Sequence, residues 1–453
     1  MVDLVERLKS QIGEGAIVAA ADIPQRALAG HPLGHPRAML RPRSTAEVAA
    51  ILKLCHAEHQ PVVPWGGRTG LVEGAHAEGA VALSLERMNR IEEIDEAGAT
   101  MTVEAGCILQ TVCEAADAKD WFFPLDLGAR GSATIGGNIA TNAGGNRVIR
   151  YGMMRELVLG LEAVLADGTV ISSLNHLIKN NAGYDLKQLF IGSEGTLGIV
   201  TRAVLRLRPK PQSQNMAFLA VDRFEQLPRI LRSLERGLSG TLSAFEVMWA
   251  DFYKLVTTTP ANGRPPVPHG HGYYVLVEAL GGDPEGDAAR FEAVLTAELE
   301  RGDIADATIA KSKGECDRLW ALRDDVLQVF RNAPIFTFDV SLKIGDMDAY
   351  VRDVRAALEA RWPAATMMVF GHLGDGNLHV IPGVGDGSKP VRKAVEEIVY
   401  GALKGGSVSA EHGIGQLKRD GLAQKKNPVA LDVMRKIKAT LDPEGILNPG
   451  KVL

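Results

Sequence analysis

Apolar residues alternate with polar ones in short runs along the first 210 residues, and glycine-rich turns separate these runs. The capping-box segment 44–47 precedes apolar positions at helical spacing, which predicts a helix start. The Asp167-Gly168 pair between two apolar runs predicts a hairpin of antiparallel strands. The other predicted elements are a buried strand and glycine turn over 61–71, a strand at 100–105, a helix at 108–118 and a polar helix from 179 that ends at 192–195.

The pattern changes after the proline-containing segment RLRPKPQSQ (206–214), which predicts a domain boundary. Strands are predicted at 216–221, 273–280, 304–310, 335–342, 366–371 and 377–382. Helices are predicted between them at 224–236, 285–301, 315–331, 347–361 and 391–404. This spacing favours an antiparallel sheet with helices on one face. We therefore predict an α+β protein with one domain over 1–210 and a second over 211–453.

Composition limits the kinds of partner. The chain has 453 residues, a formal net charge of -5 and a pI near 6.2, which provides no overall attraction to nucleic acid or to an anionic membrane. No apolar run reaches the roughly 18 residues of a membrane span, and the charged segment 1–13 does not resemble a signal peptide. The four cysteines form no CxxC pair. We expect a cytoplasmic protein without an integral membrane segment.

The glycine-rich stretch 124–145 is the first candidate ligand site. Its six glycines allow backbone N–H groups to approach a flat or phosphorylated ligand closely. A flexible linker is the alternative, but Ile135 and Ile139 within the stretch argue against it. The turn at 66–70 resembles a phosphate cradle without the GxGxxG pattern of dinucleotide-binding folds, and the turn at 192–195 is a further close-approach loop.

Histidines near the C-terminus form the second candidate site. His372 and His379 flank the turn in GHLGDGNLH, and Glu411 and His412 are adjacent in SAEHGIG. Two imidazoles and a carboxylate are typical ligands of zinc or manganese. The alternative is that these are core histidines with ordinary hydrogen bonds.

Together these segments resemble a known family. The sequence is similar to flavoproteins of the vanillyl-alcohol oxidase type, and most similar to the D-2-hydroxyglutarate and D-lactate dehydrogenases among them. The resemblance runs from about residue 38 to the C-terminus. It is carried by the motifs PVVPWGGRTGL, PLDLGARGSATIGGNIATNAGGNRVIRYG, YDLKQLFIGSEGTLGIVT, HLGDGNLH, SAEHGIG and DPEGILNPGK.

The resemblance implies a fold and a cofactor. The fold is an FAD-binding domain of two α/β subdomains followed by an α+β substrate domain, whose last residues return to the flavin. Some relatives attach FAD to a histidine in the first glycine loop; no histidine lies at 65–70, so non-covalent FAD is expected. The implied FAD contacts are Gly66, Gly67, Arg68, Thr69 and Gly70 for the pyrophosphate, then Pro124, Leu125, Gly128, Ser132, Gly136, Gly137, Asn142, Gly145, Glu194, Gly195, Ile199 and Asn448.

The resemblance also assigns roles in the second domain. It implies His372, His379 and Glu411 as metal ligands and His412 as the catalytic base. Arg323 matches an arginine that holds the substrate carboxylate, a task that suits a planar guanidinium. The sequence departs from the hydroxyglutarate enzymes at the further substrate contacts, where it has Leu327, Thr337 and Ile381; Lys343 is a candidate replacement cation.

The implied reaction is FAD- and metal-dependent oxidation of a D-2-hydroxy acid to the 2-oxo acid. D-2-hydroxyglutarate is the first candidate substrate, and D-lactate, D-malate and glycolate are alternatives. Electrons would leave to an electron-transfer flavoprotein or a quinone, and a homodimer is the assembly considered. Two other functions remain open here: a metal-dependent hydrolase with structural glycine loops, and a non-catalytic flavin-binding subunit of a larger oxidase complex.

Overall fold

The computed structural model describes residues 4–28, 30–258 and 265–453. The strands, numbered in chain order, are β1 (Ile17–Ala19), β2 (Ala38–Leu40), β3 (Val62–Trp65), β4 (Val81–Ser84), β5 (Ile91–Asp95), β6 (Thr100–Glu104), β7 (Trp121–Phe122), β8 (Val158–Val164), β9 (Val170–Ser173), β10 (Ile199–Arg206), β11 (Arg208–Pro209), β12 (Ser213–Val221), β13 (Leu242–Trp249), β14 (Tyr273–Gly281), β15 (Asp306–Ile309), β16 (Phe338–Ser341), β17 (Thr366–His372) and β18 (Asn377–Gly383).

The α-helices are α1 (Leu4–Ile12), α2 (Thr45–Ala57), α3 (Leu109–Asp117), α4 (Ile135–Ala140), α5 (Val148–Tyr151), α6 (Met154–Leu157), α7 (Lys187–Phe190), α8 (Leu227–Gly237), α9 (Ala250–Thr257), α10 (Pro284–Glu300), α11 (Lys313–Asp324), α12 (Met347–Arg361), α13 (Lys389–Gly401), α14 (Arg419–Lys425) and α15 (Pro428–Leu441). None of the helices in these described residues has both the length and the apolar character that a bilayer crossing requires.

The described residues form two compact units. The first contains those of Met1–Gly145 together with Gly152–Lys210 and Glu411–Leu453, and the second contains Asn146–Tyr151 and Pro211–Ala410. The sequence-based division at residue 210 assigns residues 411–453 to the second domain, whereas this grouping assigns them to the first unit. Backbone hydrogen bonds explain the difference, because the N–H of Val62 on β3 donates to Ile446 and its carbonyl accepts from Asn448, at 2.8 Å in each case.

The first unit contains two main sheets. One has the order β1-β2-β4-β3, in which β4 pairs in parallel with both β2 and β3. The other is antiparallel, with the order β5-β6-β10-β8-β9. The predicted hairpin around Asp167-Gly168 is confirmed, since β8 pairs with β9 from Leu161↔Ser173 to Val164↔Val170.

The second unit is built on one seven-stranded antiparallel sheet of order β15-β12-β14-β13-β17-β18-β16. Helices α9 and α11 pack on it through buried side chains such as Phe252, Tyr253 and Leu319. The predicted α+β class is confirmed. Strand β13 and helix α9 of this unit were not predicted from the sequence.

One helix of the first unit also differs from the expectation. The polar helix predicted from residue 179 is limited to α7, because Gly183 has a φ of +98°, which an α-helix does not allow.

Candidate functional site

The first glycine loop packs directly against the central glycine stretch. A Cβ on Gly66 would lie 2.5 Å from the Thr134 hydroxyl oxygen, and a Cβ on Gly67 would lie 1.9 Å from the Ser132 carbonyl oxygen. Both distances are shorter than a side chain tolerates, so only glycine permits this approach. The structure therefore brings together two of the segments that the sequence assigned to one cofactor.

Other glycines of the central stretch have different reasons for being glycine. A Cβ on Gly136 would lie 2.8 Å from the Cβ of Ala105, and one on Gly145, whose φ is +148°, would lie 2.0 Å from a carbonyl oxygen. A Cβ on Gly70 or Gly128, in contrast, would have no atom of the described residues within 4 Å. These two positions have room beside the backbone, as a ligand approach requires.

Four of the residues expected to contact the cofactor have a left-handed backbone. Their φ angles lie between 42° and 53°, which is unusual for residues other than glycine. Such backbones concentrate at ligand sites, where the surrounding structure holds them in place. The four residues are Arg68, Asn142, Glu194 and Asn448.

Buried polar atoms near these loops lack a hydrogen-bond partner in the described part of the chain. Asn448 donates from Nδ2 to the Glu194 carbonyl at 2.7 Å, but its Oδ1 is buried and unpartnered. The Nδ2 of Asn138 on α4 is in the same condition. Unpaired buried groups are costly, so these atoms fit a bound group that offers both donors and acceptors, as FAD does.

The remaining expected cofactor residues are placed as follows. Leu125 and Ile199 are buried in the core of the first unit. A Cβ on Gly195, whose φ is +71°, would lie 2.4 Å from the ring of Pro64, so this glycine packs on β3. Gly137 donates its backbone N–H to the Thr134 side chain at 3.4 Å and so helps to cap α4. Thr69, Pro124 and Ser132 lie in the loop segments around these residues.

Glu194 has a role that the sequence did not indicate. Its carboxylate accepts hydrogen bonds from the backbone N–H groups of Ile414 at 2.6 Å and Gly415 at 2.8 Å. A Cβ on Gly413 would lie 2.8 Å from the same carboxylate. Burial raises the pKa of Glu194, although these two backbone donors counteract the rise. The side chain thus holds the turn that directly follows His412.

Lys418 lies beside this turn and is only 4% exposed. Burial lowers its pKa to about 7, while the nearby charge of Glu194 acts in the opposite direction. A lysine whose pKa is lowered on folding holds fewer protons in the folded than in the unfolded state.

We expect Lys418→Met to remove a pH dependence of stability. Between pH 7 and 10.5, Lys418 is protonated in the unfolded wild type but largely neutral in the folded protein. The free energy of unfolding therefore rises with pH in this range, by up to about 1.4 kcal/mol per pH unit. Melting temperatures of the flavin-loaded enzyme across this range test it, with the exposed Lys426→Met as the control. Glu194 is present in both variants, so a difference in pH dependence can be assigned to Lys418. Equal slopes of melting temperature against pH in wild type and Lys418→Met would contradict the prediction.

The second unit places the two candidate metal-binding histidines on adjacent strands. His372 ends β17 and His379 lies in β18, and the turn between them contains Gly376 with a φ of +86°. Both imidazoles are buried, and their ring centroids are 5.5 Å apart. The hairpin predicted from GHLGDGNLH therefore brings both histidines to one place.

The segment before Glu411 is anchored to the same sheet. Asp339 on β16 is fully buried and pairs across the sheet with His379. Its carboxylate accepts from the Ala410 backbone N–H at 2.9 Å and from the Ser409 hydroxyl at 3.2 Å. Asp339 therefore fixes the two residues that lead into Glu411.

One ligand atom from each of His372, His379 and Glu411 lies within 4.8 Å of the others. Two neutral imidazole nitrogens and a carboxylate oxygen are donors that zinc and manganese both accept. The donor set therefore fits the divalent ion expected from the sequence. His412, the expected base, follows Glu411 directly, and its Nε2 is 3.7 Å from the Glu411 carboxylate.

Arg323 lies at the C-terminal end of α11 and is 6% exposed. Its guanidinium donates to the Glu246 carboxylate from Nε at 2.9 Å, and Nη2 is 3.3 Å from Nε2 of His372. The planar group also lies over the ring of Phe370. Arg323 is therefore a buried cation beside a candidate metal ligand.

The positions at which this sequence differs from the hydroxyglutarate enzymes, and the candidate cation Lys343, differ from one another in exposure. Leu327 is 71% exposed, and Thr337 and Lys343 are also exposed. Ile381 is buried in the core of the second unit, against which α9 and α11 pack.

Two family models match the chain. The one described as FAD binding domain matches residues 36–173, and the one described as FAD linked oxidases, C-terminal domain, matches residues 210–452. The predicted FAD is therefore confirmed. Two solved structures share the fold: p-cresol methylhydroxylase with substrate bound (TM-score 0.78, 17% identity, 99% of this chain and 96% of that chain) and 4-ethylphenol oxidase from Gulosibacter chungangensis (TM-score 0.75, 20% identity, 99% and 96%).

Curated relatives are similar over most of their length. The mitochondrial D-2-hydroxyglutarate dehydrogenase of Bos taurus is 43% identical over 93% of this chain and 77% of its own. The D-2-hydroxyglutarate dehydrogenase of Xanthomonas citri pv. viticola is 39% identical over 92% and 89%. A putative mitochondrial D-lactate dehydrogenase of Schizosaccharomyces pombe is 37% identical over 92% and 82%. This chain belongs to the family of FAD-linked oxidases, and it is an FAD-dependent oxidoreductase.

Proposed function

We propose that this flavoenzyme oxidises D-2-hydroxyglutarate to 2-oxoglutarate with the help of a divalent metal ion. The observation that carries the proposal is the group of His372, His379 and Glu411, whose ligand atoms lie within 4.8 Å of one another. Arg323 provides a buried positive charge at 3.3 Å from the first of these histidines. A metal-dependent hydrolase is not favoured, because the chain belongs to an FAD-linked family.

Oxidation of a 2-hydroxy acid removes one proton from the hydroxyl group and one hydride from Cα. When bound, FAD supplies the acceptor for the hydride and a divalent ion supplies Lewis-acid activation of the hydroxyl. His412 is proposed to accept the hydroxyl proton as the general base. Arg323 is proposed to bind the substrate carboxylate through its guanidinium group. Glu194 supports this chemistry by holding the backbone after His412.

D-2-hydroxyglutarate is placed first because the relatives from Bos taurus and Xanthomonas are named for it. D-lactate is the second candidate, since the Schizosaccharomyces relative carries that name and Leu327, Thr337 and Ile381 provide no charge for a distal carboxylate. Lys343 is exposed and is the candidate that could pair with such a carboxylate.

A substrate panel with an artificial dye acceptor tests the proposal. We expect oxidation of the D-enantiomers of 2-hydroxyglutarate, malate and lactate, with the highest kcat/KM for 2-hydroxyglutarate, and little oxidation of the L-enantiomers. A preference for L-acids would contradict the proposed class. A higher kcat/KM for D-lactate than for D-2-hydroxyglutarate would select the second candidate.

Chelation is expected to abolish turnover without releasing FAD, because the two histidine ligands and the flavin loops lie in different units of the chain. Adding zinc or manganese should then restore the rate. An unchanged rate after metal loss verified by elemental analysis would refute the metal requirement.

Non-covalent binding of FAD is tested by acid precipitation of the enzyme. The flavin should stay in the supernatant, since no histidine lies at 65–70 to attach it. Flavin in the pellet would refute non-covalent binding.

The proposal also includes partners and a compartment. An electron-transfer flavoprotein or a quinone is proposed to reoxidise the flavin, and reconstitution of turnover with each acceptor distinguishes the two. The cytoplasmic location and the homodimer stay predictions, which fractionation and sedimentation would test. The relatives from Bos taurus and Schizosaccharomyces are named as mitochondrial, so a mitochondrial location is the alternative outcome.

A further inference from the structure

Glu246 lies on β13, in the middle of the seven-stranded sheet, and is 1% exposed. It is the cross-strand partner of His372 on β17. One carboxylate oxygen, Oε1, is 2.7 Å from Nδ1 of His372. The other oxygen, Oε2, accepts from Nε of Arg323 at 2.9 Å and lies 2.8 Å from its Nη2. A single buried carboxylate thus contacts both a proposed metal ligand and the proposed substrate-binding arginine.

The contact with His372 determines which of its nitrogens can bind a metal. A carboxylate only accepts hydrogen bonds, so Nδ1 of His372 carries the proton and donates it to Glu246. The lone pair is then on Nε2, the nitrogen that would bind a metal ion and that lies 3.3 Å from Nη2 of Arg323 in the structure. Carboxylates that orient metal-binding histidines in this way also increase the basicity of the imidazole.

The contact between Glu246 and Arg323 reduces the repulsion between the Arg323 guanidinium and a divalent cation bound at His372. Nη2 of Arg323 is 3.3 Å from Nε2 of His372, so a permanent positive charge lies close to the atom that would bind a divalent cation. Like charges at such distances repel strongly where water is excluded. The negative charge of Glu246 offsets this repulsion and holds the Nε and Nη2 edge of the guanidinium, while Nη1 lies 3.4 Å from Oδ1 of Asp324.

We propose that Glu246 is a positioning residue that couples metal binding to substrate binding. It fixes the tautomer of His372 and at the same time neutralises and orients Arg323. The inference depends on the proposed function, because the metal belongs to that proposal. Loss of the charge at position 246 should therefore weaken binding of the metal and of the 2-hydroxy acid together.

The test is to measure metal affinity in Glu246→Gln by competition with a chromogenic zinc chelator, without turnover. Removing a residue that orients a metal-binding histidine typically lowers metal affinity about 10- to 100-fold, and we expect a loss in that range. The KM for D-2-hydroxyglutarate at saturating metal should also rise. The matched control is Glu278→Gln, since Glu278 is a fully buried carboxylate on the adjacent strand β14 that pairs with Arg147 at 2.7 Å.

Both substitutions are expected to lower the melting temperature, but only Glu246→Gln should change metal affinity. Equal metal affinity in Glu246→Gln and wild type, or equal losses in both variants, would overturn the inference. A wild type that binds no divalent ion would instead refute the proposed function. If Glu246→Gln does not fold, Glu246→Asp replaces it: the charge is kept but the side chain is shorter, and unchanged metal affinity and KM would again overturn the inference.

Discussion

Replacing His412 by glutamine is expected to lower kcat by about 10²- to 10⁴-fold, the range that general-base catalysis contributes. Glutamine keeps a polar side chain of similar length but cannot accept the substrate proton. The expected binding determinants, Arg323 and the metal ligands, are unchanged, so the KM for D-2-hydroxyglutarate should change much less than kcat. Steady-state kinetics with a dye acceptor measure both constants.

The matched control is His35→Gln, because the His35 ring is exposed and contacts the Glu78 carboxylate at the surface, at 3.2 Å. This variant should retain wild-type kinetics. Flavin absorbance and metal content should be the same in both variants and in wild type, which separates loss of the base from loss of a bound group. A His412→Gln enzyme with full kcat would show that another group accepts the proton.

Much of the site was predictable because it depends on local sequence. A turn of glycine and aspartate between two apolar runs is sufficient to pair β17 with β18, and so to bring His372 near His379. The same reasoning predicted the β8–β9 hairpin. The glycine loops were predictable as close-approach backbone, and the left-handed φ angles of Arg68 and Asn142 agree with a strained ligand loop.

Glu246 was not predictable from local sequence. The segment LSAFEVMW is buried at every position, so it lacks the alternation of a strand with one exposed face. Its pairing with β17 brings it next to His372, which lies 126 positions away in the chain, and its other partner, Arg323, is on helix α11. An isolated acidic residue within an apolar run is the one signal that could have identified it, because a buried carboxylate requires compensation.

The family resemblance implied that the last residues, with Asn448, return to the flavin, but the backbone contacts of the segment 411–453 were not predictable from local sequence. Asn448 and Ile446 bond to β3, nearly 400 residues earlier in the chain. Glu194 in turn bonds to the backbone of Ile414 and Gly415. Such contacts depend on complementarity between distant backbone segments, which hydrophobic periodicity does not encode.

A lysine at position 323 is expected to lower kcat/KM on the order of 100-fold, because it leaves the buried Glu246 carboxylate and the substrate without a shared planar donor. Lysine keeps the positive charge, but one ammonium group cannot satisfy Glu246 and a substrate carboxylate in the geometry of the guanidinium, whose Nε and Nη2 both face Glu246. The loss should appear mainly in KM, since the interaction with the carboxylate exists before the hydride moves.

The comparison of substrates makes this prediction informative about which carboxylate Arg323 binds. If it binds the carboxylate that all 2-hydroxy acids share, Arg323→Lys should lose the same factor with D-lactate as with D-2-hydroxyglutarate, whereas Lys343→Ala should affect only the diacid. Arg318→Lys, an exposed substitution on the same helix, is the control for general effects on α11. A loss confined to D-2-hydroxyglutarate in Arg323→Lys would mean that this arginine recognises the distal carboxylate, and the carboxylate next to the hydroxyl would then need another partner.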